Sequence, residues 1–444
     1  MTLYCFLAPL FAIMKQPYIQ KGSFMRYLIY AIIVVIDLYA IFLDVPQKQT
    51  VHIKAPLLDI AYEEKMALQY LNTLRTNAGM APYQTSPILK KTADNHATYL
   101  IANNATGHYE EEGKKHYTGE MPYQRAIAAG YQVSMLTENV TNNSLNYKDA
   151  IDNLFAAIYH RFGFLDFISD EIGIAVAQDP QNTEVNTYVF DMGIHRLNQA
   201  CSGKSYSGAE RYAYKICLDP THKIREKTLL DILNAKKIAS KTIIVYPYDG
   251  QTDVPPVFYN ETPDPLPDYD VSGFPISIQF NDAHIKQADV RDISLYTPEG
   301  EKVKSKVLYD QNDPNKLLKP GQFALLPLTR LKYDTRYKVV LTYAHEGKIT
   351  QKVWHFHTRK LPEPAFVITQ NKQALKIKPH TTYTLYFKPQ NRHDVLGDLH
   401  FPADVKVNLL DQNTIQLRLD SENTEPFDLT SEDKEIHFKV LSKT

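Results

Sequence analysis

The spacing of apolar residues changes once along this chain, and that change limits what it can fold into. Up to about residue 195 they recur at three- and four-residue intervals, the repeat of a one-sided helix. In residues 59–79, Met66, Ala67, Tyr70, Leu71 and Leu74 share a face, Glu63 and Glu64 suit a first turn, and Gly79 is a stop signal. Residues 87–101 place Leu89, Ala93, His96, Ala97 and Leu100 on one stripe, and residues 148–162 do the same with Ile151, Leu154, Phe155, Ile158 and Phe162. "EIGIAVAQ" (171–178) and "NTYVFDMGI" (186–194) read as strands. Helices mixed with a few strands predict a compact α+β domain over 59–195.

Past a charged connector, 196–241, the repeat shortens to two. Six prolines from Pro247 to Pro267 punctuate the approach to "FPISIQF". "ISLYTPEGEKVKSKVLY" and "RYKVVLTYAHEGKITQKVWHFHT" are hairpin candidates turning at Glu-Gly. Val405, Val407 and Leu409 alternate on one side of "DQN", with Ile415, Leu417 and Leu419 on the other. This predicts an all-β, immunoglobulin-like sandwich at 242–360 and, after the break at "RKLPEPA", a C-terminal β domain at 361–444.

At 444 residues, 44% hydrophobic and 22% charged, the composition is that of several folded domains. Lys+Arg total 49 against Asp+Glu 50, so nothing in the charge favours nucleic acid as a partner. The sequence has no G-x-S-x-G, Walker-type loop, dinucleotide fingerprint or CxxC pair, which argues against nucleotide and redox enzymes. Within 1–45, the apolar run 26–43 is interrupted only by Asp37. It reads as an uncleaved membrane anchor, with a cleaved signal as the alternative, Met25 as a candidate start and 46–58 as a linker. The remainder, membrane-anchored or secreted, would face the periplasm or the cell exterior. Cys201 and Cys217 bracket a polar insert. A disulfide there would stabilise by about 3 kcal/mol and needs an oxidising compartment; two unpaired thiols are the alternative.

Three polar residues stand out singly. Counted at about 100° per residue from Ile151, His160 falls opposite the apolar stripe, beside Asn153, Ala156 and Ala157. It is either a solvated histidine at a helix end or the wall of a cleft. His108 follows Gly107 beside three glutamates and, alone, reads as a surface residue. Glu138 lies between apolar neighbours and, once buried, needs a donor, a cation or a divalent metal. His96 reads as a packed core residue, and Glu110, His116 and Glu120 as solvated. The spacing 108–138–160 is no metal signature by itself.

Order adds what spacing does not. "LNTLRTNAGMAPY", "ILKKTADNHATYL", "GHYEEEG", "YQRAIAAGY", "TENV" and "AIDNLFAAIYHRFGFLDFISDEIGIAV" occur in that sequence between about residues 61 and 194. Together they resemble the CAP superfamily (cysteine-rich secretory proteins, antigen 5, pathogenesis-related 1) in its bacterial branch. The resemblance implies an α-β-α sandwich in which His108, Glu138 and His160 converge on one cavity. It also implies that His108 and His160 could bind a divalent metal such as zinc. Two positions depart from the family pattern: Leu154 stands where relatives carry Trp, and Ala157 where many carry Glu or Ser, so a fourth polar member is missing. The β region following it looks like the Ig-like modules of some bacterial envelope proteins.

Three readings follow. The first is an envelope-exposed protein whose His/Glu pocket binds a small molecule, lipid, peptide or cell-wall ligand, with the N-terminal segment holding the membrane. The second is a metal-assisted hydrolase with Glu138 as general base. The third is an adhesion or scaffold protein with a vestigial pocket.

Overall fold

The computed structural model describes residues 57–422 and 425–442. The apolar run 26–43, with the anchor, signal and start expectations that depend on it, lies outside them. Among the described residues no helix is long and apolar enough to cross a membrane.

Helix α1 (Ile60–Ala78) begins where the Asp59 side chain accepts from the backbone of Tyr62 and ends at Gly79, whose φ of 99° only glycine adopts easily. Strand β1 (Gln84–Thr85), α2 (Pro87–Asn103), α3 (Pro122–Ala129) and β2 (Thr137–Asn142) follow, then α4 (Tyr147–Ala156), α5 (Ile158–Phe164), β3 (Glu171–Gln178) and β4 (Asn186–Gly193). The strands form one sheet in the order β1-β3-β4-β2. Strand alternation divides its faces. Ile172, Ile174 and Val176 of β3 pack with Leu71 and Leu74 of α1 and with Ile151 and Phe155 of α4. Ala175 packs on the other face with Ala93, Ala97 and Leu100 of α2. The result is a helix–sheet–helix sandwich. At Gly173 the layers nearly touch, since a Cβ there would lie 2.0 Å from the Leu89 carbonyl carbon.

The single helix expected over 148–162 is two helices. Ala157 is extended (φ −76°, ψ 116°), and no side chain of its own caps the new start at Ile158. The break re-aims every residue after it, so the angle assigned to His160 on a continuous helix does not apply.

Helix α6 (His195–Ser202), the short strands β5 (Tyr212–Ala213) and β6 (Ile224–Arg225) and α7 (Glu226–Ala239) make the connector. Cys201 and Cys217 are disulfide-bonded, and both pack with Val133, Leu197 and Ile224.

The chain is then all β. Strands β7 (Ile243–Tyr246), β8 (Gln251–Val254), β9 (Ile276–Phe280), β10 (Asp289–Tyr296), β11 (Ser305–Tyr309), β12 (Gln322–Pro327), β13 (Arg336–His345) and β14 (Lys348–Thr358) form two four-stranded sheets, β10-β13-β14-β8 and β11-β12-β9-β7. Ile276 and Ile278 of one sheet and Val339 and Leu341 of the other share one core. The second expected hairpin is present: β13 and β14 pair from His345↔Lys348 to Arg336↔His357 around Glu346 and Gly347, both at positive φ. The first is not. Its turn forms, with the Gly300 amide donating to Thr297, but β10 pairs with β13 and β11 with β12. The chain thus crosses from one sheet to the other between β10 and β11.

Strands β15 (Ala365–Ile368), β16 (Lys372–Ile377), β17 (Thr382–Phe387), β18 (Val405–Asp411), β19 (Thr414–Leu419), β20 (Phe427–Ser431) and β21 (Lys434–Val440) form the sheets β15-β17-β19-β18 and β16-β21-β20 around a separate core. The alternation across "DQN" becomes the register Val405↔Leu419, Val407↔Leu417 and Leu409↔Ile415.

Candidate functional site

The site starts from a buried charge. Glu138 sits on β2 with its side chain 1% exposed, and Arg125 of α3, fully buried, donates from Nη2 to its Oε2 at 2.6 Å. His108 reaches the other oxygen, Nδ1 to Oε1 at 2.9 Å. Burial alone would raise the Glu138 pKa; the His108 hydrogen bond and the Arg125 charge outweigh it and hold the carboxyl below its ordinary range. Glu138 is therefore an ionised anchor with both oxygens engaged. That environment makes it a weak proton acceptor, which counts against a general-base role.

Arg125 also fixes the loop that carries His108. Its Nη1 donates to the carbonyls of His108, Gly119 and Glu120. Its Nε lies 3.6 Å from Glu110, which is buried and not solvated as expected. His96, at the centre of the α2 stripe, explains why. Its Nδ1 meets Glu110 Oε1 at 3.0 Å and its Nε2 meets the Gly107 carbonyl at 2.9 Å. Both ring nitrogens therefore have a partner on the loop that carries His108. His96 is a core residue, as its stripe suggested, and also a clamp on the loop beside His108. His116 and Glu120 are exposed.

Directly across the sheet, Asp191 of β4 is paired in register with Glu138 and is wholly buried. Burial first, then the neighbouring Glu138 charge, push its pKa well above the carboxylate range.

His160 lies on α5, its side chain 16% exposed. Its backbone carbonyl accepts from Asn139 Nδ2 at 2.8 Å, tying α5 to β2. Its ring and that of His108 lie 6.1 Å apart, 20° from parallel. His108, Glu138 and His160 thus line one cleft of about 380 Å³, with Phe162 beside them and Pro263, Leu317, Leu318 and Lys319 opposite.

Sequence reasoning singled out neither Arg125 nor Asp191, and it missed a further residue across the cleft. Glu261, in the proline-rich entry to the β region, accepts from His160 Nδ1 at 2.9 Å and is 2% exposed. No local signal marks it: it is one acid in "YNETPDPLPDYD", 101 positions from its partner.

A divalent ion in this cleft would be held by the second ring nitrogens of His108 and His160. Among the described residues no group of three His, Cys, Asp or Glu side chains is arranged to hold a metal. Two imidazoles alone fall short of the closed donor set of a structural metal site.

The description of the cysteine-rich secretory protein (CAP) family matches the sequence over residues 68–192, the stretch that builds this sandwich and carries His108, Glu138 and His160. The chain contains a CAP domain. Among solved structures, an outer surface protein from Borrelia burgdorferi is 16% identical, with 33% of this chain and 98% of that one covered at a TM-score of 0.27. An extracellular protein containing a SCP domain from Bacillus anthracis is 14% identical, with 31% of this chain and 44% of that one covered, also at 0.27. No curated protein sequence matches significantly. None of these similarities carries a ligand or an activity over to this chain. The CAP domain's own side chains have to supply the functional reading.

Proposed function

We propose that this is an envelope-facing protein whose CAP domain binds a ligand in the cleft between α5 and the β region. The observation that supports this most directly is the pair of histidines. Each has Nδ1 tied inward to a buried carboxylate, and among the described residues no hydrogen bond occupies either Nε2. Carboxylate-backed imidazoles of this kind are fixed in orientation, the arrangement used where a ring must meet a ligand or ion. Apolar side chains, Phe162, Pro263, Leu317 and Leu318, complete the cleft, so the ligand has an apolar body as well as a polar group. Small molecules, peptides, lipids and cell-wall fragments all remain within that description.

The outward location is supported by the Cys201–Cys217 disulfide, which persists in an oxidising compartment, and by the apolar run ahead of the domain. A divalent ion held by His108 and His160 would add Lewis acidity to the cleft. Hydrolysis with Glu138 as base is disfavoured by its double engagement.

The test is a thermal-shift and calorimetric screen of the full chain against alkyl, peptide and muropeptide panels and zinc. A compound that binds wild type should bind the His108→Ala, His160→Ala double variant at least tenfold more weakly. Undiminished binding of every hit would remove the cleft as the site.

A further inference from the structure

We infer that the cleft is a two-module site in which Glu261 is a positioning residue, holding His160 with its Nδ1 proton inward and its Nε2 lone pair toward the cleft. This deepens the ligand-binding reading above and rests on it. The break at Ala157 leaves the first amides of α5 without partners in their own helix or from their own cap. Glu261 fills that deficit from the β region. Its Oε1 accepts from the Ile158 amide at 2.5 Å, both oxygens lie within 3.3 Å of the Tyr159 amide, and Oε2 meets His160 Nδ1 at 2.9 Å.

One carboxylate thus ends the helix break and orients the ring two residues beyond it. An ionised carboxylate only accepts, so Nδ1 is the donor, and the hydrogen bond at one ring nitrogen decides the state of the other. Glu138 treats His108 in the same way from within the CAP domain. The β region, therefore, supplies the carboxylate that holds His160. It supplies the facing wall as well, through Pro263, Leu317 and Leu318, and Tyr159 of α5 is anchored to Asp313 and Asn315 of the same region. The cleft then offers an acceptor nitrogen, suited to a ligand's hydroxyl or amine hydrogen or to a cation.

The test is nitrogen NMR of the full chain labelled at histidine, without ligand and with chelator, at a pH where the rings are neutral. Wild-type His160 should carry its proton on Nδ1. Glu261→Ala should move it predominantly to Nε2, the form an unconstrained imidazole prefers, and Glu261→Gln should do the same, because its one oxygen is claimed by the Ile158 and Tyr159 amides and its NH2 then donates to Nδ1. A wild-type His160 protonated at Nε2, or the same tautomer in Glu261→Ala as in wild type, would overturn the assignment. If Glu261→Ala does not fold, the wild-type tautomer decides, since Nε2 protonation there contradicts it. The readout needs no ligand, so failure of the binding screen and failure of this tautomer are separate results.

Discussion

Glu138 and Asp191 face each other across β2 and β4, yet their carboxyls are driven in opposite directions, and the difference has measurable consequences. Glu138 has Arg125 and His108; Asp191 has burial and a neighbouring negative charge. Arg125→Met should cost about 3–5 kcal/mol in urea unfolding, because it leaves the Glu138 charge buried without its main counter-charge. The two acids also respond oppositely to pH. A carboxyl depressed in the fold stabilises above its unfolded value and loses that contribution as pH falls through the folded value. A raised one stabilises below its unfolded value and loses that contribution as pH rises. Asp191→Asn removes the second dependence. Its melting temperature relative to wild type should therefore climb between pH 4 and pH 8; a constant offset across that range would mean Asp191 is not shifted in the fold. At this scale His108, Glu138 and His160 were legible because their fragments stand in family order. Glu110 was not, because one buried acid beside two exposed ones, Glu111 and Glu112, leaves no periodic trace.

Among the elements, the stripes and alternations that were long and regular became helices and strands at nearly the expected places. The misses came where a distant group overruled the local pattern. Residues 148–162 carry one apolar stripe, yet the helix breaks at Ala157, where Glu261 accepts from the freed amides. Residues 289–309 have hairpin composition, yet β10 and β11 belong to different sheets. The helix–sheet spacing is the opposite case, set by one residue type. Gly173 lies where a methyl group would meet the Leu89 carbonyl carbon at 2.0 Å and the Lys90 nitrogen at 2.2 Å, both backbone atoms that cannot swing aside. Gly173→Ala should thus push α2 off the sheet and cost about 2–3 kcal/mol, the upper part of the usual overpacking range. Chemical denaturation measures this directly, and a cost below about 0.5 kcal/mol would show that α2 has slack the packing does not suggest.

For the whole molecule, the question is which modules unfold together. The CAP domain and the first β region share a core: the ring of Phe155 of α4 packs tilted against that of Tyr246 of β7 at 4.7 Å, and the buried Arg161 guanidinium sits over Tyr246 and Phe274. The C-terminal sheets have a separate core and join the first β region through a polar latch. Arg330, 2% exposed, donates to both oxygens of Asp411 at 3.1 and 2.7 Å and to the Tyr259 hydroxyl at 2.8 Å. Removing the acid leaves that guanidinium buried beside Tyr259 and Tyr333 with no counter-charge, a loss of about 3–5 kcal/mol. Because the penalty falls on the junction and not on either core, Asp411→Ala should uncouple the C-terminal module while leaving both cores intact. Calorimetry of wild type should then show the C-terminal transition merged with or close to that of the preceding region, and the variant should show it several degrees lower and resolved. If Asp411→Ala instead lowers all transitions equally, the latch is part of a single cooperative core, and the three sheet-bearing regions unfold as one.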